Sequence, residues 1–100
     1  MVGSEYLDVD PRLLRLPPAR SSGADPVKLS RQITQYGDSV AGMPRLVAYR
    51  ASDGDLVLHD GVTRATRVAK LLPGRTVHVE VIGTLTSPAS PYPTVGDRLP

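Results

Sequence analysis

The sequence contains no cysteine among its 100 residues. This absence excludes disulfide bonds, thiolate nucleophiles and every zinc site that depends on cysteine. Phenylalanine and tryptophan are missing as well, and only four tyrosines represent the larger aromatic residues. We therefore expect a core of aliphatic side chains, without the large aromatic platform on which many proteins stack nucleic-acid bases.

Long apolar runs are also absent, and no stretch approaches the roughly 18 consecutive apolar residues of a membrane-spanning helix. The first residues, MVGSEYLDVD, carry acidic side chains where a secretion signal would carry basic ones, and no apolar segment follows them. The sequence thus predicts a soluble protein in the cytoplasm with no membrane partner.

The formal net charge is +2, which is too small to indicate a nucleic-acid-binding protein by itself. Its distribution is more informative, because acidic and basic residues balance across residues 1–40. Between Gly61 and Val79 there is no acidic residue, and the basic ones are Arg64, Arg67, Lys70 and Arg75. The positive charge is therefore concentrated in one short segment.

Turn and capping residues divide residues 1–83 into strands and helices. EYLDVDP alternates and ends at a proline, which predicts a short strand, and DPVKLSRQITQYG predicts an amphipathic helix capped by Asp25 and ended by Gly37. RLVAYR and DLVLHD flank Asp53-Gly54, a sequence typical of hairpin turns. VTRATRVAKLL has helical spacing and stops at Pro73-Gly74, and the valine-rich TVHVEVIG alternates as a strand does.

The order strand, helix, hairpin, helix, strand predicts an α+β fold, with a small mixed β-sheet and two main helices packed on it. A chain of this length forms one domain, to which we assign residues 1–83. Residues 84–100 are rich in proline and have almost no apolar pattern, so we expect an extended or disordered tail there.

This order, with its turns, resembles the N-terminal domain of the ParB family of chromosome- and plasmid-partition proteins, which shares its fold with sulfiredoxin. The resemblance extends from about Tyr6 to Gly83. In that family a strand of the type "y.lvdG" leads into a helix that opens with Gly-x-x-Arg. In the segment HDGVTRATR, Asp60, Gly61 and Arg64 occupy these places.

The family binds nucleotide phosphates at this helix start, and the resemblance implies the same here, with or without Mg²⁺. The implied binding residues are Asp60, Gly61, Thr63, Arg64 and Arg67. A helix N-terminus offers free N–H groups and partial positive charge, a glycine permits close approach, and an arginine can bind an oxyanion with two hydrogen bonds. An alternative is a helix capped by the Asp60 carboxylate, with Arg64 and its basic neighbours on a solvated face.

The match has clear departures. Val62 and Thr63 replace the charged residues usual in ParB proteins, and sulfiredoxin has its catalytic cysteine where Val62 stands. Sulfiredoxin activity is therefore excluded. A protein- or DNA-interaction domain without a small ligand is the second hypothesis, with the basic helix or the proline-rich tail as the contact surface.

A minimal phosphotransferase or nuclease is the third hypothesis, because Asp60, Asp55 and Glu80 are carboxylates near the proposed site. No local sequence pattern indicates an activated nucleophile, so we assign no catalytic residue. His59, His78 and Glu80 are typical of exposed cross-strand partners, and we predict no metal site there. Exposed strand edges can pair with those of a second copy of the chain, so the sequence is also compatible with a homodimer.

Overall fold

The computed structural model describes residues 4–100, in which four strands form a single mixed sheet. The strands are β1 (Glu5–Val9), β2 (Leu46–Arg50), β3 (Leu56–Asp60) and β4 (Val77–Thr84). The helices are α1 (Pro26–Tyr36) and α2 (Val62–Leu71), and short 3-10 turns cover Pro11–Leu13, Pro18–Arg20 and Gly96–Arg98. The predicted α+β class, with a mixed sheet and two main helices, is confirmed.

The sheet order is β1-β4-β2-β3. β1 is antiparallel to β4, β2 and β3 form the predicted hairpin, and β2 is parallel to β4. Parallel neighbours cannot be joined by a tight turn, so the chain returns from the hairpin through α2 before it enters β4. This crossover places the start of α2 directly after the last residue of β3.

Helix α1 begins and ends where its sequence predicts. The Asp25 carboxylate accepts a hydrogen bond from the Val27 N–H at 3.0 Å, and Pro26 occupies the first helical position. Gly37 ends the helix with a positive φ of 57°, a conformation that costs glycine little. Within residues 4–100, neither helix is long and apolar enough to cross a membrane.

The core is aliphatic, as the composition requires. Val77, Val79 and Val81 of β4 are all buried, which confirms the predicted alternation of that strand. They pack in one cluster with side chains from the other strands, from α2 and from the chain after β1, including Leu14, Leu16, Leu46, Leu58, Ala65 and Val68. The cluster fixes α2 against the inner face of the sheet.

The proline-rich tail is packed against the domain, and the prediction of an extended or disordered tail is wrong. Val95 is 1% exposed and belongs to the main core, while Ala89 is fully buried beside Val57. The backbone of Leu16 donates to Pro93 at 2.8 Å, and that of Val95 donates to Leu14 at 2.9 Å. The few apolar residues of the tail are spaced irregularly, so periodicity could not reveal that they are buried.

Candidate functional site

The start of α2 depends on a glycine in a conformation that other residues avoid. Gly61 is the N-cap of α2 and has a φ of +103°. A Cβ atom at this position would collide with the Leu46 side chain and would lie 3.0 Å from Nη2 of Arg64. Gly61 is therefore required for both the turn and the close approach of the backbone to β2.

The N-terminus of α2 has no side-chain cap. Gly61 has no side chain to accept a hydrogen bond, and Asp60 ends β3 without capping the helix, contrary to the alternative in which its carboxylate does so. The first intrahelical bond runs from the Ala65 N–H to the Gly61 carbonyl at 2.9 Å. The N–H groups of Val62, Thr63 and Arg64 consequently have no partner within the helix.

Asp60 instead pairs with Arg64. The distance between Arg64 Nη2 and Asp60 Oδ2 is 3.3 Å, and the carboxylate side chain is 67% exposed while the arginine side chain is 20% exposed. The contact is long and open to water on the acidic side, so it adds little to stability. It holds the guanidinium beside the helix start without occupying the free N–H groups.

These residues line one cleft of about 210 Å³ at the start of α2, which we call the α2 cleft. Of the five predicted binding residues, Asp60, Gly61, Thr63 and Arg64 lie in it. The neighbouring residues His59 and Val62 also line it, and side chains from distant parts of the chain complete its wall, namely Pro17, Arg20, Lys28 and Gln32. The fold therefore brings a pre-helix turn, the first half of α1 and the end of β3 together around the helix start.

The added side chains make the α2 cleft strongly basic. Arg20 and Lys28 are exposed, and neither forms an ion pair within residues 4–100. With Arg64 they give three cationic side chains around a helix N-terminus, against the single carboxylate of Asp60. Sequence analysis missed Arg20 and Lys28, although Lys28 and Gln32 share one side of α1 by their spacing of four residues.

Arg67 is not part of the α2 cleft. It is 2% exposed, and its Nη1 donates to the carbonyls of Gly37 and Ser39 at 2.8 and 2.7 Å. The predicted basic face of Arg64, Arg67 and Lys70 therefore does not form. Residues three apart share one side of a helix, but the end of α1 and the following loop cover Arg67 at the centre of that side.

The other candidate side chains are engaged away from the α2 cleft. Asp55 pairs with Arg15 at 2.9 Å, and Glu80 accepts from Arg45 at 2.7 Å. Hydrogen bonds to the Glu80 carboxylate, from Ser4 first and then from Arg45, lower its pKa below the ordinary value. His78 contacts Asp8 at 3.0 Å.

Metal ligands are not assembled from these groups. His59 lines the α2 cleft and packs edge-on against Tyr49, with ring centres 5.4 Å apart. In the part of the chain that the structure describes, no three histidine or acidic side chains are grouped so that they could hold a metal ion.

Comparison with known proteins assigns no family to the chain. No family model matches the sequence, and no curated protein matches it significantly. The resemblance to ParB and sulfiredoxin domains therefore stays an expectation, carried by the order of elements and by Asp60, Gly61 and Arg64.

Proposed function

We propose that this domain is a binding module for a nucleotide or another phosphate-bearing ligand, held at the start of α2. The observation that carries the proposal is an uncapped helix N-terminus opening into a cleft with three cationic side chains. Oriented N–H groups and basic side chains together form the usual chemistry of a phosphate site.

The contrast with α1 supports this assignment. At α1 the Asp25 carboxylate accepts a hydrogen bond from the first turn, which removes one of the donors an anion would use. At α2 a glycine stands in the corresponding position and leaves the donors open. An uncapped helix start that faces a cleft favours an anionic ligand, because the helix dipole places about half a positive charge there.

Each wall of the cleft has a distinct role in this proposal. The N–H groups of Val62 and Thr63 and the Thr63 hydroxyl donate to phosphate oxygens, and Arg64 adds a charged fork beside them. Arg20 and Lys28 neutralise charge further along the ligand. Asp60 orients Arg64, and its exposed carboxylate is available to Mg²⁺ that accompanies a nucleotide.

The test is a calorimetric titration with orthophosphate, ADP, ATP and CTP, with and without Mg²⁺. We expect saturable binding to the wild-type chain and a loss of about tenfold or more in affinity for Lys28→Gln and Arg64→Ala, since a hydrogen bond to a charged group is worth ~1.5–3 kcal/mol. The matched control is Arg31→Gln, which removes the same charge from an exposed position of α1 outside the cleft.

The control also separates a defined site from a basic surface. If Arg31→Gln weakens binding as much as Lys28→Gln does, the ligand responds to general charge and the second hypothesis, a broad interaction surface, is favoured. If none of the phosphates produces saturable heat, the α2 cleft is not a phosphate site. Under the proposal Arg31→Gln binds as the wild-type chain does.

A further inference from the structure

Arg67 is a buried cation without an acidic partner. Its side chain is almost completely covered, and none of the ion pairs formed by residues 4–100 includes it. Removing a guanidinium from water is costly unless an opposite charge or a full set of acceptors compensates it. The Tyr36 ring, whose centre lies 5.4 Å from the Arg67 guanidinium carbon, and the C-terminal end of α1, which carries about half a negative charge, compensate only part of this cost.

One edge of the Arg67 guanidinium is left without a strong acceptor. Nη1 is satisfied by the Gly37 and Ser39 carbonyls, but the Nε–H has no partner among the described residues. Nη2 contacts only the Met43 sulfur at 3.5 Å, and thioether sulfur is a weak acceptor. Nε–H and an Nη2–H point in the same direction, along the edge that binds a carboxylate or phosphate with two parallel hydrogen bonds.

This region opens into a second cavity of about 160 Å³ between the end of α1 and α2, which we call the loop cavity. Arg67, Met43, Tyr36 and Gly42 line it. Gln32 and Arg64 line both the loop cavity and the α2 cleft, so they form the partition between the two.

The partition itself is incompletely bonded. Gln32 Oε1 and Arg64 Nε are buried and have no hydrogen-bond partner within residues 4–100. With Arg67 Nε, all three of the orphaned buried side-chain atoms found in the described chain belong to residues that line the loop cavity. Buried polar atoms are normally satisfied, so such exceptions indicate missing partners. The Nε–H groups of Arg64 and Arg67 lack an acceptor, which an anion supplies, whereas Gln32 Oε1 lacks a donor.

From these observations we infer that the loop cavity is a second anion subsite. This inference rests on the proposed function, because the ligand carries one anionic group that binds at the α2 cleft and a second that binds the free edge of Arg67. Arg64 and Arg67 are three residues apart on α2, with Cβ atoms ~5–6 Å apart, so one short ligand with two anionic groups can reach both side chains. The ligand is thus a compound with at least two separate anionic groups, such as a polyphosphate, and not a single phosphate ion.

Met43 covers the free edge of Arg67 in the absence of such a ligand. Its side chain is only partly buried, and methionine moves between rotamers more easily than branched side chains do. The second anionic group displaces the Met43 sulfur and takes both donors of the edge. Orthophosphate, which is too small to reach from the α2 cleft, leaves Met43 in place.

The experiment follows the Met43 methyl group by NMR, which is simple because the chain contains only two methionines, Met1 and Met43. We expect tripolyphosphate to shift the Met43 signal saturably and orthophosphate to leave it unchanged while still binding the α2 cleft. Equal shifts with both ions, or no shift with either, would overturn the inference.

Two variants of Gly42 test the charge dependence without disturbing Arg67. Gly42 lines the loop cavity, has a φ of +69° and faces open space, and both Asn and Asp tolerate this conformation better than other residues do. We expect Gly42→Asp to weaken tripolyphosphate binding about tenfold relative to Gly42→Asn, with orthophosphate affinity nearly equal in the two variants. Equal tripolyphosphate affinity overturns the second subsite alone. Failure of orthophosphate to bind the wild-type chain overturns the α2 cleft as well.

Discussion

Gly61 determines, at the scale of single residues, whether β3 can turn into α2. Its φ of +103° lies where L side chains rarely go, and the backbone passes so close to Leu46 that a methyl group has no room. Because the same residue leaves the helix uncapped, it serves both the fold and the proposed phosphate site.

Substitution of Gly61 by alanine combines backbone strain with overpacking. We expect Gly61→Ala to lower the free energy of unfolding by about 1–2 kcal/mol from strain and by a further ~1–3 kcal/mol from the collision with Leu46. Gly74→Ala is the control, since Gly74 has a similar φ of +88° but faces open space. Urea unfolding followed by circular dichroism gives the comparison, and equal losses for the two variants would contradict the packing argument.

Residues of the site differ in how far the sequence reveals them. Gly61 and Arg64 could be predicted because the turn after β3 and the first turn of α2 depend on neighbouring residues, and such short-range patterns are visible in the sequence. Arg67 was assigned to the wrong environment, since only the packing of α1 against α2 buries it. Tertiary folding brings Arg20 and Lys28 to the α2 cleft, and the spacing of residues in the sequence does not predict this proximity.

Helix α1 supplies one wall of the α2 cleft, so its position matters at the scale of elements. Only Leu29 among its residues is fully buried, and Tyr36 is 48% exposed. A helix with so small an apolar anchor depends on its caps more than a deeply packed helix does. Lys28 and Gln32 are held at the cleft only while the first turns of α1 remain folded.

Removal of the α1 cap therefore tests this dependence. We expect Asp25→Ala to lower stability by about 1 kcal/mol, because it removes the acceptor for the Val27 N–H. Asp25→Asn should remain within a few tenths of a kcal/mol of the wild-type chain, since asparagine caps helices about as well as aspartate. Thermal unfolding measures both. Comparable losses in the two variants would show that the negative charge, and not the hydrogen bond, is what matters.

The elements themselves were largely predictable. A few consecutive residues are enough to predict three features, and each is found as expected: the alternating valines of β4, the caps of α1 and the Asp53-Gly54 turn. The cap of α2 was not predictable, because a carboxylate preceding a glycine is compatible with either residue as the N-cap. Backbone geometry at Gly61, set by contact with β2, decides between them.

At the scale of the whole molecule, the tail packs against the hairpin turn between β2 and β3. The Asp53 carboxylate accepts hydrogen bonds from the N–H groups of Ala89 and Ser90 at 3.0 and 2.9 Å. Desolvation alone would raise the pKa of Asp53, but these two hydrogen bonds and one from the Asp55 N–H together lower it below the ordinary value. One ionised side chain thus ties residues far apart in the sequence.

This attachment should depend on pH in a definite direction. Because the pKa of Asp53 is lowered in the folded state, its stabilising effect is complete above the pKa of the unfolded state and is lost as the pH falls through the pKa of the folded state. We expect Asp53→Asn to be less stable than the wild-type chain at neutral pH, with the difference shrinking in acid. The amide signals of Ala89 and Ser90 should titrate with a midpoint below the pKa of an ordinary aspartate. Asp38→Asn, which removes one carboxylate from an exposed position with no side-chain hydrogen bond found within residues 4–100, is the matched control. A midpoint at or above the ordinary value would mean that the tail is not held by the ionised carboxylate.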